Sequence, residues 1–240
     1  MKYTISDIHG MFDKFLLLLE KINFSDTDEL YIIGDVVDRG TKPIETLEYV
    51  MNKPNMQLLM GNHEHLMLEW YDAYLQRRLY PYELIEAKQV WMQNGGRVTL
   101  KQFQKLPREK QIQIIRFLRK SPYYLLIDKF ILCHAGIKMD EKFNDKPAEE
   151  ILKQQSADDL LENRGKFYNN KAIEGYTVIF GHTVTDFIFK ERKETCLLPL
   201  NIWHDRTFND KICIDCGAYF EEDGGRLACL RLDDMKEFYL

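Results

Sequence analysis

Five short segments of the sequence place metal-binding or proton-carrying side chains directly after an apolar stretch. The segments are YTISDIHG, YIIGDVVDRG, LLMGNHE, FILCHAG and TVIFGHT, which begin at residues 3, 31, 58, 130 and 177. They supply Asp7, His9, Asp35, Asp38, Arg39, Asn62, His63, His134 and His182. Four of the six histidines fall in these segments, and chance placement would rarely produce that.

This mixed set of oxygen and nitrogen donors predicts a pair of metal ions. Carboxylates and an amide oxygen suit hard divalent ions such as Mn²⁺, whereas imidazoles suit iron or zinc, so this mixed set would serve Mn²⁺, Fe or Zn. One shared carboxylate would hold two ions at the separation that two-metal hydrolysis uses. Taken singly, Asp7 is better interpreted as a helix cap, Asn62 as a turn residue, and His134 or His182 as a core histidine. The set as a whole favours the metal site, whereas His65 and His204 are expected on helix surfaces.

The hydrophobic pattern predicts the elements that position these side chains. Strands at residues 2–6, 30–34 and 56–60 alternate with helices over residues 12–19 and from Thr41, with Pro43 in the first turn of the second helix. This alternation is typical of a parallel sheet with crossover helices. In such sheets the ligand site lies at the carboxyl ends of the strands, so residues far apart in sequence would converge there.

The rest of the chain is predicted to complete a single domain over residues 1–240. Residues 66–121 are helical in pattern and are expected to form an insertion over one edge of the sheet. A further helical stretch is expected at 147–164, and strands at 123–127, 130–133, 177–180, 187–192, 211–215 and 227–232. Short turns such as EEDGG indicate hairpins between the later strands.

Composition restricts the class of protein. The net charge of −5 argues against a general nucleic-acid binder, although metal ions could still hold a phosphate ligand. The chain has no apolar run near the roughly 20 residues of a membrane helix and no signal peptide, so it is expected in the cytoplasm. Five cysteines fit reduced thiols. A redox or half-zinc role for Cys213 and Cys216 is disfavoured, because there is no second pair and the stretch alternates like a strand.

The motifs DIHG, GDVVDRG, GNHE, HAG and GHT, in this order, resemble the calcineurin-like metallophosphoesterases. The DRG and GNHE forms resemble the phosphoprotein phosphatase branch, especially its small bacterial and phage serine/threonine phosphatases. WMQNGG at residues 91–96 and IDCGAYFEEDGGRLACL near the end also resemble that subgroup. The resemblance spans residues 3–232 and implies the metallo-dependent phosphatase fold, an α/β class four-layer α/β/β/α sandwich with metal at the carboxyl edge of the sheets.

The resemblance also implies a role for each site residue. Asp7 and His9 would bind the first metal ion, Asp35 would bridge, and Asn62, His134 and His182 would bind the second. A water or hydroxide between the ions would attack phosphorus in line. His63 would protonate the leaving oxygen with Asp38 as its orienting partner, and Arg39 would grip the phosphate together with Asn62 and Arg164.

Two departures from the family pattern bear on the substrate. Protein phosphatases of this branch usually carry an arginine where this chain has Met60, and a tryptophan usual near Arg164 is replaced by Glu162. Arg164 itself could equally be a solvated helix end. The leading hypothesis is a metal-dependent serine/threonine protein phosphatase acting on a phosphorylated protein. The alternative is a bis(5'-nucleosyl)-tetraphosphatase, since diadenosine tetraphosphatases also have an apolar residue at that position. A non-catalytic phosphate-binding scaffold and a nuclease rank lower.

Overall fold

The structure is a computed structural model that describes residues 1–143 and 146–240, and in these residues it contains two five-stranded sheets. The strands are β1 (Lys2–Ile5), β2 (Glu29–Ile33), β3 (Met56–Leu59), β4 (Tyr124–Ile127), β5 (Phe130–Cys133), β6 (Thr177–Phe180), β7 (Trp203–His204), β8 (Lys211–Cys213), β9 (Ala228–Arg231) and β10 (Glu237–Tyr239). The helices are α1 (Phe12–Lys21), α2 (Pro43–Met51), α3 (Asn62–Gln76), α4 (Pro81–Gln93), α5 (Arg97–Phe103), α6 (Arg108–Leu118), α7 (Ala148–Lys153), α8 (Ala157–Leu161), α9 (Lys166–Asn169) and α10 (Thr185–Glu191).

Each sheet contains three neighbouring parallel strands, and its other two strands are joined by antiparallel pairing. The first sheet has the order β10-β9-β1-β2-β3, with β1, β2 and β3 parallel and Ile5 opposite Ile32. The second has the order β4-β5-β6-β8-β7, with β5, β6 and β8 parallel and antiparallel strands at both edges. Each sheet therefore has a carboxyl edge formed by three parallel strands.

The two sheets pack face to face. Side chains alternate along a strand, so that Ile33 of β2 points into the layer between the sheets while Ile32 points to the opposite face. The layer between the sheets is a cluster of buried residues from both, including Ile33, Leu59, Leu132, Ile179, Ile212 and Leu230. This apolar layer joins the sheets into a sandwich.

Helices cover both outer faces. Phe15 of α1, Leu47 of α2 and Ile114 of α6 share a buried cluster with Ile32 of the first sheet. Ile151 of α7 and Ile188 of α10 share another with strands of the second sheet. The predicted four-layer α/β/β/α class is confirmed. Within the described residues, no helix combines the length and the apolar composition needed to span a membrane.

The strand predicted at residues 187–192 is wrong, because this segment belongs to α10. The triplet Phe187, Ile188 and Phe189 reads as a buried strand, and a short apolar run cannot be distinguished from a helix by periodicity. In the structure only Thr185 and Ile188, three residues apart, are buried in α10, and Phe187 is exposed. That spacing is helical.

The hairpin predicted at EEDGG is also wrong. This segment forms a short 3-10 turn at Glu221–Asp223 between β8 and β9, which lie in different sheets. The late antiparallel pairs are instead β7 with β8 and β9 with β10. Both β7 and β10 are very short strands that the sequence pattern did not reveal, and His204 lies exposed on β7 rather than on a helix.

Candidate metal centre

The carboxyl ends of the parallel strands bring all six predicted metal ligands together. Each ligand follows the end of a strand within a few residues: Asp7 and His9 follow β1, Asp35 follows β2, Asn62 follows β3, His134 follows β5 and His182 follows β6. All six residues are buried. The two sheets contribute to one site, as expected for ligands at strand carboxyl ends.

Asp35 lies at the centre of this cluster. Its Oδ2 is 3.6 Å from Nε2 of His9 and 3.7 Å from Nε2 of His63, and its Oδ1 is 3.5 Å from Nε2 of His134. Two groups of potential ligand atoms result, one formed by His9, Asp35 and His63 and the other by Asp35, His134 and His182. Asp35 is the member that the two groups share, which is the position a bridging carboxylate requires.

Asn62 and Asp7 extend the two groups. Oδ1 of Asn62 is 2.9 Å from Nε2 of His134 and 3.2 Å from Nδ1 of His182. The carboxylate of Asp7 accepts the backbone N–H of His182 at 3.0 Å, and its Oδ1 is 4.0 Å from Nε2 of His9. The amide oxygen therefore lies with the His134 and His182 side of the cluster, and Asp7 lies with His9.

The protonation pattern of the imidazoles fits bound cations. His9 donates from Nδ1 to the carbonyl of Val37 at 3.1 Å, so its Nε2 carries a lone pair. That Nε2 is buried, has no hydrogen-bond partner among the described residues and faces the carboxylates of Asp7 and Asp35. Burial, aided by the charge of Arg39, lowers the pKa of His9 well below its ordinary value. A bare acceptor facing two carboxylates is repulsive without a positive ion between them.

His134 shows the same pattern on the other side. Its Nδ1 donates to the carbonyl of Ile33 at 2.9 Å, and its Nε2 lies 2.9 Å from Oδ1 of Asn62 and 3.5 Å from Oδ1 of Asp35. Three potential ligand atoms thus converge on this side of the cluster. The residues present fit two divalent ions of the kind that take oxygen and imidazole ligands.

The backbone of the site is held in an unusual conformation. Six site residues have positive φ: Asp7, His9, Asp35, Asp38, Arg39 and His182. For a residue other than glycine this left-handed conformation costs about 1–2 kcal/mol. Neighbouring glycines allow the close approach, since a Cβ on Gly61 would lie 2.3 Å from Oδ1 of Asp35 and one on Gly181 would lie 2.2 Å from Oδ2 of Asp7. Strain concentrated in this way is typical of functional sites.

Glu64 supports the central turn, and the sequence analysis assigned it no role. Its fully buried carboxylate accepts the backbone N–H of Asp35, Val36 and Val37 at 2.7–3.1 Å, and that of Gly61 at 3.1 Å. These bonds tie the end of β2 to the start of α3. The sequence feature that could have indicated this role is that Glu64 belongs to the motif GNHE but was needed neither as a metal ligand nor as a phosphate-binding residue.

His63 is held by Asp38 on one side and contacts Arg39 on the other. Its Nδ1 donates to Oδ2 of Asp38 at 2.8 Å, and its Nε2 lies 3.0 Å from Nη2 of Arg39 and 3.7 Å from Oδ2 of Asp35. Burial alone would lower the pKa of His63, but the charge of Asp35 and the bond to Asp38 outweigh it and raise that pKa above its ordinary value. This arrangement orients one imidazole nitrogen toward the cluster and favours a proton on the ring.

Asp38 is fixed by two residues that the sequence analysis missed. Its Oδ2 also accepts the indole N–H of Trp91 at 2.9 Å, and its Oδ1 accepts the hydroxyl of Thr99 at 2.5 Å. Trp91 belongs to the segment WMQNGG, which resembles the family but whose contact with Asp38 could not be predicted from the sequence. The backbone N–H of Arg39 donates to the carbonyl of Gly95 in the same segment at 3.3 Å.

The remaining predicted residues lie around the opening of the site. Arg164 is exposed and lines, with Arg39 and His182, a cleft of about 1160 Å³. Oε2 of Glu162 is 3.7 Å from Nε2 of His182. Met60 is buried in the apolar cluster of the first sheet, so no charged group from this position reaches the cleft.

His65, Cys213 and Cys216 were not predicted as site residues, and each has surroundings typical of a structural residue. His65 lies in α3 beside the ring of Tyr123. Cys213 and Cys216 are free and buried, and burial raises the pKa of both thiols well above the ordinary value. Buried thiols with raised pKa are unreactive, which agrees with the low weight given to a redox role for this pair.

Comparison with known proteins places the chain in one family. A family model described as calcineurin-like phosphoesterase matches residues 3–205. The bis(5'-nucleosyl)-tetraphosphatase PrpE of Bacillus thuringiensis is 28% identical over 98% of this chain and 92% of its own. Serine/threonine-protein phosphatase 2 of Salmonella typhimurium is 26% identical over 90% of this chain and 87% of its own.

A solved structure agrees with this assignment at the level of fold. A protein provisionally described as a diadenosine tetraphosphatase superposes with a TM-score of 0.65 at 16% identity, covering all of this chain and 92% of that one. The cluster of potential metal ligands, the fold and the family match support the same assignment. The chain belongs to the calcineurin-like phosphoesterase family and is a hydrolase of phosphoric esters with a site for divalent metal ions.

Proposed function

We propose that the protein is a Mn²⁺-dependent serine/threonine protein phosphatase. The observation that supports the chemistry is the convergence of imidazole nitrogens on the buried carboxylate of Asp35, next to a histidine that is held by a second buried carboxylate. Asp7, His9 and Asp35 would hold one ion, and Asp35, Asn62, His134 and His182 the other. When bound, two divalent ions supply Lewis acidity that activates water and neutralises charge on the phosphoryl oxygens.

The protein groups have separate tasks in this proposal. His63 gives a proton from Nε2 to the leaving oxygen, and Asp38 holds the ring in the required orientation through Nδ1. Arg39 caps that Nε2 at 3.0 Å in the free protein. A protonated Nε2 cannot accept a hydrogen bond from a guanidinium. Arg39 therefore has to move away from His63 when substrate binds. Its planar fork then pairs with the phosphate oxygens.

The charges of the cleft favour a substrate with a single phosphate. Among its lining residues, Lys190 is paired with Asp186 at 2.6 Å, which leaves Arg39 and Arg164 as the cations for phosphate. The lining also contains three consecutive acids, Glu221, Glu222 and Asp223, of which Glu221 pairs with Lys14. Acids on the cleft repel further phosphates and attract basic side chains. A phosphoprotein segment with basic neighbours fits this balance better than a polyphosphate chain.

A bis(5'-nucleosyl)-tetraphosphatase activity is the second candidate. Burial of Met60 leaves the cleft without the extra cation that protein phosphatases of this branch usually have before GNHE. The exposed rings of Phe187 and Phe220 line the same cleft and offer surfaces on which a base could stack. PrpE, a relative aligned over nearly the whole chain, is named for this activity.

Initial rates with Mn²⁺ on a phosphothreonine peptide, diadenosine tetraphosphate and p-nitrophenyl phosphate test the proposal. Preferred turnover of the peptide is expected. Preferred cleavage of the dinucleotide would replace the substrate assignment with the second candidate. Metal binding without turnover of any of the three would favour a non-catalytic phosphate-binding scaffold.

A further inference from the structure

The tip of the hairpin formed by α3 and α4 exposes a group of large apolar side chains. Tyr82 is 83% exposed, Leu79 76% and Ile85 60%. Leu75, Tyr80 and Val90 on the same hairpin are also exposed. Trp91 is the only residue of α4 that is fully buried. We call the surface formed by Leu75, Leu79, Tyr80, Tyr82, Ile85 and Val90 the hairpin face.

The hairpin face is large enough for a protein interface. With about 150–250 Å² for a large side chain, the exposed fractions of its six residues correspond to roughly 600 Å² of apolar surface. Monomeric soluble proteins rarely expose contiguous apolar patches beyond a few hundred Å² without a binding role. A standard interface uses about 800 Å² from each partner, rim included. The hairpin face is thus close to one half of a stable interface.

Unpaired charges of both signs lie on the same hairpin. Arg78 lies in the turn between the helices, Glu83 and Glu86 lie in the first half of α4, and Lys88 follows them. All four are exposed, and no hydrogen bond or ion pair holds them to other described residues. Arg77, in contrast, lies over the ring of Tyr74 at 4.1 Å and donates to its carbonyl. Basic and acidic groups on one apolar surface make that surface complementary to itself.

We propose that a second copy of this chain docks on the hairpin face and forms a two-fold symmetric dimer. A two-fold axis near Tyr82 would set Leu79 of each copy against Ile85 of the other and Arg78 against Glu86. Each contact then occurs twice, as an isologous interface requires. An anionic membrane surface fits less well, because Glu83 and Glu86 would oppose it.

The mass of the full chain in solution is the first test. Sedimentation velocity from about 1 to about 100 µM covers the dissociation of a weak interface, the class to which interfaces below the standard size belong. A species of twice the 28.6 kDa chain mass is expected to grow with concentration. Ile85→Glu should abolish it, whereas Leu17→Glu, at an exposed leucine on the distant helix α1, should not. A species of one chain mass across the whole range would overturn the proposal.

Charge exchange tests the pairing itself. Arg78→Glu and Glu86→Arg should each raise the dimer dissociation constant by at least about tenfold, because each sets like charges against each other. An equimolar mixture of the two variants should recover the wild-type constant, since both contacts of the mixed dimer again join opposite charges. Circular dichroism and melting temperature confirm that each variant is folded. Folded variants that do not recover on mixing would overturn the two-fold arrangement.

Discussion

The indole N–H of Trp91 donates to Oδ2 of Asp38 at 2.9 Å, the same carboxylate oxygen that accepts from Nδ1 of His63. The hydroxyl of Thr99 donates to Oδ1 and completes the partners of this buried carboxylate. A buried acid whose two oxygens both accept hydrogen bonds keeps one orientation. Because Trp91 and Thr99 lie on α4 and α5, the helical region after β3 directly supports the candidate proton donor.

Replacing Trp91 with Phe should slow turnover without removing metal. The change keeps an aromatic ring where the indole packs 5.3 Å from Trp70, and it deletes the donor to Asp38 together with the five-membered ring. A lost supporting bond of this kind lowers activity by about tenfold or more. We expect kcat to fall, KM to stay unchanged, and the bound metal, measured by atomic emission, to remain at the wild-type level.

Trp203→Phe is the matched control for this change. Trp203 is equally buried and donates to Glu194 at 3.1 Å, among residues outside the metal centre. It should lose stability by about 1 kcal/mol, as for a typical hydrogen bond, and keep its kcat. An equal fall of kcat in both variants would mean that the effect of Trp91 is one of general stability.

His63→Asn should abolish most turnover and leave the metal content intact. The proposed proton donor contributes about 10²–10⁴-fold, and the loss should be smaller for p-nitrophenyl phosphate than for a phosphothreonine peptide, because nitrophenolate leaves without a proton. Rates on both substrates together with metal analysis check this. His65→Asn, one turn along α3 and beside Tyr123, is the control. Loss of metal along with activity would instead assign His63 as a metal ligand. The 3.7 Å distance between its Nε2 and Oδ2 of Asp35 would allow both atoms to bind one ion.

The sequence predicted which residues converge in the cluster, because each follows the end of an apolar strand, a local pattern that a parallel sheet converts into proximity. Their roles as metal ligands stay predictions. It did not reveal Trp91 or Thr99, since both come from helices whose placement depends on tertiary packing. Glu64 was missed for a related reason: its partners are backbone N–H groups, which have no sequence signature. The error at Phe187 came from a run too short to show its helical period.

Glu162→Gln should weaken metal binding. If His182 binds a metal ion through Nδ1, which already faces Asn62, its Nε2–H points toward the carboxylate of Glu162 at 3.7 Å. A carboxylate behind a metal-bound histidine raises its basicity, and loss of such a partner costs about tenfold in affinity. Because Glu162 is exposed, its effect on metal affinity is smaller than that of a buried carboxylate. We therefore expect a few-fold loss of Mn²⁺ affinity, measured by calorimetric titration of the metal-free protein.

Glu174→Gln, at an exposed acid that contacts Lys171, controls for the change in net charge. Equal affinities in the two variants would remove Glu162 from the metal centre and leave it as a surface residue.

Asp35→Asn should stabilise the metal-free protein while removing its response to metal. Burial raises the pKa of Asp35 well above its ordinary value, and the charge of Asp7 adds to this. A folded-state pKa above the unfolded value means that the protonated form is favoured in the fold. The stability it contributes is present in acid and is lost as pH rises through the raised pKa. At neutral pH without metal, the buried Asp35 therefore destabilises the fold, because the unfolded chain releases this proton more readily, and the neutral amide removes that cost.

We expect the melting temperature of metal-free Asp35→Asn at pH 7 to exceed that of the wild type, by an amount equivalent to about 0.5–2 kcal/mol. The difference should shrink as pH falls toward the unfolded pKa. Addition of Mn²⁺ should raise the wild-type melting temperature by mass action and leave the variant nearly unchanged. Asp26→Asn, at an exposed acid on the surface, should follow the wild type in both respects. A metal-free variant less stable than the wild type would show that Asp35 supports the fold through its bond to the backbone of His63 more than it strains it through its charge.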